Sequence, residues 1–268
     1  MLIYDSHVHT ECSQDAEHSV TYVGEKAEER GLAGIAVTDH CEIEHFREQH
    51  YYHKVTQSMF HTLLAKGIFK ERLKVLCGVE IGQPLVNTKY VQQVLDLKLF
   101  DFVLGSLHDV NGGIDFSFMK FDQQEYDVPA LLNGYYDELC RMLEWGKFDA
   151  LAHITYPFRY IRGDYKLPYT PDMYQKQIDE VLRLCIEKEK ALEVNTSGLR
   201  QKIGECLPNL DIVKRYRAMG GELVTLGSDS HSAFTVGDGI EQGAAMLREA
   251  GFTHYYYYEK RRPVEVSL

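Results

Sequence analysis

Short apolar runs that end in a histidine, a carboxylate or another polar residue recur along this chain, and that repeat restricts its fold more than any other feature. Residues 2–5 lead into Ser6-His7-Val8-His9-Thr10. Residues 34–38 are followed by Asp39-His40, 73–79 by Glu80, 102–107 by His108, and 150–152 by His153. Residues 191–195 give way to Thr196-Ser197-Gly198-Leu199-Arg200, and 223–227 to Ser228-Asp229-Ser230-His231. Between these runs the pattern predicts helices over 20–30, up to about 70, and over 87–98, 129–147, 171–189, 208–219 and 240–250. Ser19 stands at an N-cap, Gly31 at a C-terminal stop and Pro171 at a first helical position. Strands alternating with helices predict a parallel sheet with crossover helices, either a barrel or a doubly wound sheet. Polar residues at all seven strand ends favour the barrel, where every strand C-terminus opens onto one face. A doubly wound sheet gathers ligands mainly at its switch point.

The chain has 268 residues, 44% hydrophobic and 26% charged, and no linker, repeat or low-complexity break. This predicts one domain over 1–268 with a substantial core. A final strand over 253–258 should alternate its Tyr255–Tyr258 run between core and surface. The net charge of −11 argues against a nucleic-acid partner, which needs basic surface. No apolar run is long enough to span a bilayer, and no basic-then-apolar leader opens the chain. The six cysteines form no C-x-x-C pair and read as reduced thiols of a cytoplasmic protein. Cys12 and Cys41 read as small buried residues. His45, His50, His53 and His61 read as solvated, since no strand end places them.

The strand-end residues define the chemistry. His7 and His9, one residue apart, can turn both imidazoles into one cavity. Together with Asp15, His40, Glu80, His108, His153, Asp229 and His231 they make nine candidate metal ligands, of which Glu80, Asp229 and His231 are also candidates for a direct catalytic part. A mononuclear zinc site takes three or four ligands. Nine suffice for two to three divalent ions if a carboxylate bridges, and Glu80 is the natural bridge. Imidazole with carboxylate accepts zinc, iron or manganese. Clustered ions suit phosphoryl transfer, and no nucleophile stands beside a positioned base.

His7-Val8-His9, Thr38-Asp39-His40, Gly78-Val79-Glu80, Ser106-Leu107-His108, Ala152-His153 and Gly227-Ser228-Asp229-Ser230-His231 together resemble the polymerase-and-histidinol-phosphatase (PHP) superfamily, in the family's order and over nearly the whole chain. The resemblance implies a distorted (β/α)7 barrel with a trinuclear metal site at the C-terminal ends of its strands. His7, His9, Glu80 and Asp229 would hold one ion, Glu80, His108 and His153 a second, and Asp15, His40 and His231 a third. Glu11, Glu17 and His18 share the loop of Asp15, and no motif pins its register. Chain length and the loops at 152–160 and 193–200 are similar to those of the superfamily's stand-alone histidinol-phosphate phosphatases. That likeness implies a phosphate clamp of Arg159 and Arg200, with Arg162 as a neighbour able to replace Arg159. A guanidinium fork suits phosphate oxygens. Glu193 and Asn195 would orient their neighbours. The implied activity is hydrolysis of L-histidinol phosphate by a metal-held hydroxide, without a phospho-enzyme. The alternative is a phosphatase of the same superfamily acting on nucleotides or other small phosphate esters. Asp109 and Asp115 are candidates for the substrate's ammonium or imidazole N–H, and Tyr156 and Tyr160 for packing on its ring. The expected partner is thus a small phosphate monoester, with no nucleic acid and no membrane. Oligomeric state is not legible.

Overall fold

The computed structural model describes residues 2–110 and 113–268; Gly112, which the sequence places in a loop, lies outside them. Eight strands form the main sheet in a nearly closed ring. In chain order they are β1 (Tyr4–Val8), β2 (Gly34–Val37), β3 (His40–Glu42), β4 (Lys74–Gly82), β5 (Phe102–Ser106), β6 (Ala150–Leu151), β7 (Ala191–Asn195) and β8 (Val224–Gly227). Seven of them run β1-β2-β4-β5-β6-β7-β8, all parallel, and β3 pairs with the far half of β4. The ring is completed where β8 leaves toward β1: the Asp229 N–H donates to the His7 carbonyl and the His9 N–H to the Ser230 carbonyl, both at 2.8 Å. This is the distorted (β/α)7 barrel, and its distortion has identifiable sources. The β1–β2 register shifts between Asp5 and Val8, β6 is two residues long, and β4 is shared by β2 on its first half and β3 on its second.

Helices cover the ring because each carries one apolar stripe. They are α1 (Val20–Glu29), α2 (Tyr51–Ile68), α3 (Thr88–Leu95), α4 (Val128–Trp145), the short α5 (Tyr156–Phe158), α6 (Gln175–Glu187), α7 (Leu210–Ala218) and α8 (Ile240–Glu249). On α6 the buried residues Ile178, Val181, Leu182 and Cys185 follow the i, i+3, i+4, i+7 spacing; each aliphatic member contributes about 1.5–3 kcal/mol by leaving water. Side-chain caps set the starts: the Asn87 oxygen accepts from the Lys89 and Tyr90 N–H groups, and the Asp127 carboxylate from Ala130. Gly146, with φ at 65°, ends α4 in the left-handed conformation that glycine adopts without strain.

Four expectations need correction. The first strand runs to Val8 and the strand expected over 73–79 runs to Gly82, so His7 and Glu80 lie inside their strands rather than just past them; Val8 pairs with Val37 and Ser230. The three-residue β3 was not foreseen, because alternation over three residues carries no period. Residues 155–170, left without secondary structure between the strand at 150–152 and the helix expected from 171, hold α5 and a six-residue π-type turn, Arg159–Asp164. The tyrosine run is not a clean alternation. Tyr255, Tyr257 and Tyr258 are all buried, since β9 (His254–Glu259) forms a hairpin with β10 (Arg262–Ser267) that packs against the N-terminal ends of the barrel strands. There Tyr257 stacks on Tyr4 and Tyr258 on Phe102, while the Tyr255 hydroxyl accepts from the Tyr4 N–H.

Candidate metal centre

The barrel geometry turns the strand ends into one cluster. Alternate residues of a strand share a face, so His7 and His9 both point inward from the end of β1, with ring centroids 4.9 Å apart. Glu80, wholly buried, occupies the middle. Its Oε2 lies 3.3 Å from His7 Nε2, 3.5 Å from His9 Nε2 and 2.9 Å from His40 Nδ1. Its Oε1 lies 3.2 Å from His153 Nε2 and 3.4 Å from His108 Nε2. The two carboxylate oxygens therefore divide between two sets of imidazoles. Asp229 Oδ1 faces His9 Nε2 at 3.4 Å and His7 Nε2 at 3.7 Å. Its Oδ2 is held from behind by Asn195 and Arg159, each at 3.2 Å, and by Ser197. His153 and Asp229 sit at φ of 25° and 52°, in the left-handed region that costs a non-glycine residue energy.

Three groups place one donor atom per residue close enough to share an ion: His7, His9 and Asp229; Glu80, His108 and His153; and His9, His40 and His231. Asp15, whose side chain is 60% exposed, reaches the third group, 3.2 Å from His231 Nε2 and 3.7 Å from His40 Nε2. Glu11 instead lies 3.8 Å from His61, outside the cluster. His45, His50 and His53 are exposed. Cys12 and Cys41 are buried, and burial pushes both thiols up, Cys12 to about 12, so neither is poised to offer a thiolate.

Packing behind the cluster holds it in place. The buried Asp5 carboxylate accepts from the Ser228 N–H and hydroxyl and from the Gly237 N–H, which ties β8 to β1. Gly227 permits that approach: a Cβ there would stand 2.4 Å from His7 Cβ and 2.5 Å from a Glu193 oxygen. Asp39 accepts from Thr10, Ser13 and Ser58, fixing the loop after β1. Glu193 Oε1 lies 2.6 Å from His7 Nδ1, and its Oε2 accepts from the His153 N–H at 2.9 Å. Such carboxylate support fixes a ligand histidine's tautomer and orientation.

Electrostatics show what the cluster demands. Burial alone would push His7, His40 and His108 down, but Glu193 beside His7, Glu80 beside His40 and Glu42 beside His108 outweigh it and raise all three well above the ordinary imidazole range. Burial likewise opposes ionisation of Glu80 and Asp229, yet the histidines hold both well below the usual carboxylate range. His7 Nε2, His9 Nε2 and Glu80 Oε2 are buried without a hydrogen-bond partner. Orphaned polar atoms of this kind are costly in a protein interior. Convergent imidazole nitrogens and carboxylate oxygens left without partners are the donor set of divalent cations, so the residues present fit metal ions.

A cavity of about 470 Å³ opens over the cluster, lined in part by Glu44, Asp109, Asp115, Tyr156, Tyr160 and Arg159. A second, of about 430 Å³, adjoins it and is lined by both Arg159 and Arg200. Arg159 reaches inward from the start of the π-type turn, its Nη2 donating to Ser197 Oγ at 2.6 Å. Arg162 turns away to Glu205 at 2.6 Å and lines neither cavity. The Arg200 Nη2 donates to the Asp229 carbonyl at 2.7 Å. Tyr160 donates to the Tyr156 hydroxyl and Tyr156 to Asp115, at 3.2 and 2.9 Å. Asp109 accepts from Gln83 at 2.9 Å. Two residues at the site went unnoticed in the sequence, Glu42 and Glu44. The alternation His40-x-Glu42-x-Glu44 is their trace in the sequence, but it is too short to define a strand period.

Fold and site together define a (β/α)7 barrel with an imidazole-and-carboxylate cluster at its C-terminal rim. The PHP domain family matches residues 5–197, and the chain belongs to that family. It is 30% identical to a protein of Clostridium acetobutylicum named probable histidinol-phosphatase, over 97% of this chain and 98% of that one. It is 27% identical to the histidinol-phosphatase of Lactococcus lactis, over 92% and 91%. The crystal structure of the histidinol phosphate phosphatase from Lactococcus lactis, complexed with zinc, L-histidinol and phosphate, superposes with a TM-score of 0.79 at 24% identity, covering 98% of each chain.

Proposed function

We propose that this chain is a metal-dependent phosphatase that hydrolyses L-histidinol phosphate to L-histidinol and phosphate. The observation that carries the reading is the cluster of buried imidazole and carboxylate atoms left without hydrogen bonds, beside Arg159 and the more exposed Arg200. The full-length relatives named histidinol-phosphatase support the substrate. The whole of 1–268 acts as one domain in this reading, because Arg200, Asp229 and His231 lie beyond the family match yet complete the site. Six free cysteines suit a cytoplasmic enzyme. No helix among the described residues is long and apolar enough to cross a membrane.

His7, His9, Glu80 and Asp229 would hold one divalent ion, Glu80, His108 and His153 a second, and His40 and His231, with Asp15 or His9, a third. Such ions activate water and draw charge from phosphoryl oxygens. The remaining work falls to the chain itself. Arg159 and Arg200 bind phosphate oxygens with charge-assisted hydrogen bonds. Arg159 and Asn195 orient Asp229 through its Oδ2, leaving Oδ1 toward the histidines. Across the cavity Glu44, Asp109 and Asp115 make an acidic wall. Burial, and then contact with Asp109, raises the Glu44 carboxyl to about 7, so this wall is relieved by a cation. The ammonium of histidinol phosphate supplies one, whereas the nucleoside of a nucleoside monophosphate is neutral and supplies none.

The test is a substrate panel. Histidinol phosphate should exceed p-nitrophenyl phosphate, phosphotyrosine and nucleoside monophosphates in kcat/KM by at least about 10²-fold, since a site built for polar groups rejects analogues that lack them. A nucleotide as the best substrate would overturn the assignment.

A further inference from the structure

Glu42 has no place in the proposed ligand set, yet its position is tightly specified. It lies on β3, two residues from His40 and on the same face, with Cys41 between them buried in the core. β3 pairs with the end of β4 so that His40 stands beside Glu80 and Glu42 beside Gly82. A Cβ on Gly82 would fall 2.0 Å from Glu42 Oε2. Glycine there lets the carboxylate lie across β4 toward the end of β5. The result is that Glu42 Oε1 is 3.3 Å from His40 Nδ1 and 3.3 Å from His108 Nδ1.

These two histidines belong to different groups. His108 turns its Nε2 toward Glu80 Oε1, and His40 turns its Nε2 toward His231 Nε2 at 3.3 Å. Each therefore turns Nε2 into the cluster and carries Nδ1 beside the same Glu42 oxygen, with His40 Nδ1 lying between Glu80 Oε2 at 2.9 Å and Glu42 Oε1 at 3.3 Å. His40 Nδ1 is buried without a hydrogen bond, and the acceptors beside it are Glu80 and Glu42. With Glu80 engaged by ions, Glu42 is what remains to accept its proton.

We infer that Glu42 is a positioning residue that orients His40 and His108 together, coupling the second and third metal positions through one carboxylate; this rests on the metal reading above. A carboxylate behind a ligand histidine fixes its tautomer and raises its basicity, and its removal costs roughly 10–100-fold in metal affinity. Because one residue serves both histidines, its loss weakens two ions at once.

The experiment uses the full chain loaded with zinc alone, challenged with graded chelator, with retained zinc counted by elemental analysis. Glu42→Ala should shift the release of two ions by about 10-fold or more, while Glu42→Gln, which keeps one acceptor oxygen, should fall between it and wild type. In histidine-labelled nitrogen NMR of the zinc form, two protected Nδ1–H resonances should be lost in Glu42→Ala and at least one weakened in Glu42→Gln. Should Glu42→Ala not fold, the isosteric Glu42→Gln decides by the same two readouts. Wild-type zinc retention with both resonances unchanged in a folded variant would overturn the inference. Wild-type protein that takes up no zinc would instead overturn the metal reading beneath it.

Discussion

Glu80→Gln should lower kcat/KM by at least about 10³-fold and strip bound metal from the protein. The magnitude follows from what Glu80 touches. Losing one preorganised electrostatic contact to a transition state costs about 10²–10³-fold. Glu80 meets five imidazoles, with one oxygen toward His7, His9 and His40 and the other toward His108 and His153. A neutral amide keeps the volume but offers one acceptor where two are needed, and it removes the buried charge that the surrounding histidines balance. The measurement pairs steady-state kinetics with elemental analysis of the variant. A Glu80→Gln protein with wild-type metal content and near-normal turnover would remove Glu80 from the centre of the account.

Arg159→Ala should lower kcat/KM by about 10²-fold, the size expected for loss of a charge-assisted contact with phosphate. Arg159 has a second duty, since its Nη2 also lies 3.2 Å from Asp229 Oδ2. Arg159→Lys separates the two. A lysine restores charge as a point but not the planar fork, so it should rescue metal content more fully than activity. Arg162→Ala is the control. Its partner is Glu205, it is 41% exposed, and its loss should leave kcat/KM within about twofold, as for an ordinary surface pair. Damage from Arg162→Ala comparable to that from Arg159→Ala would show the arginine to be misassigned.

The part of the site that was legible in the sequence was the part carried by strand ends. His40, Glu80, His108 and His153 each follow an apolar run, and a parallel barrel must deliver such residues to one rim. Glu42 was not legible because β3 is three residues long and gains its strand character only from pairing with β4. The choice between Arg159 and Arg162 was open for a different reason. An ordinary α-helical turn places residues three apart on neighbouring sides, but the segment winds as a π-type turn, with the Tyr165 N–H donating to the Tyr160 carbonyl. That separates the two, one inward and one to Glu205. The buried tyrosines of β9 escaped the alternation rule because they pack against the end of the barrel, where Tyr257 meets Tyr4 and Tyr258 meets Phe102. In each case a tertiary contact decided what local pattern left open.

The central claim is that the cluster around Glu80 holds several divalent ions, and counting them tests it most directly. Protein purified without chelator, analysed for zinc, iron and manganese per chain, should carry two to three ions and lose phosphatase activity as they are removed. One ion or none at full activity would contradict the account.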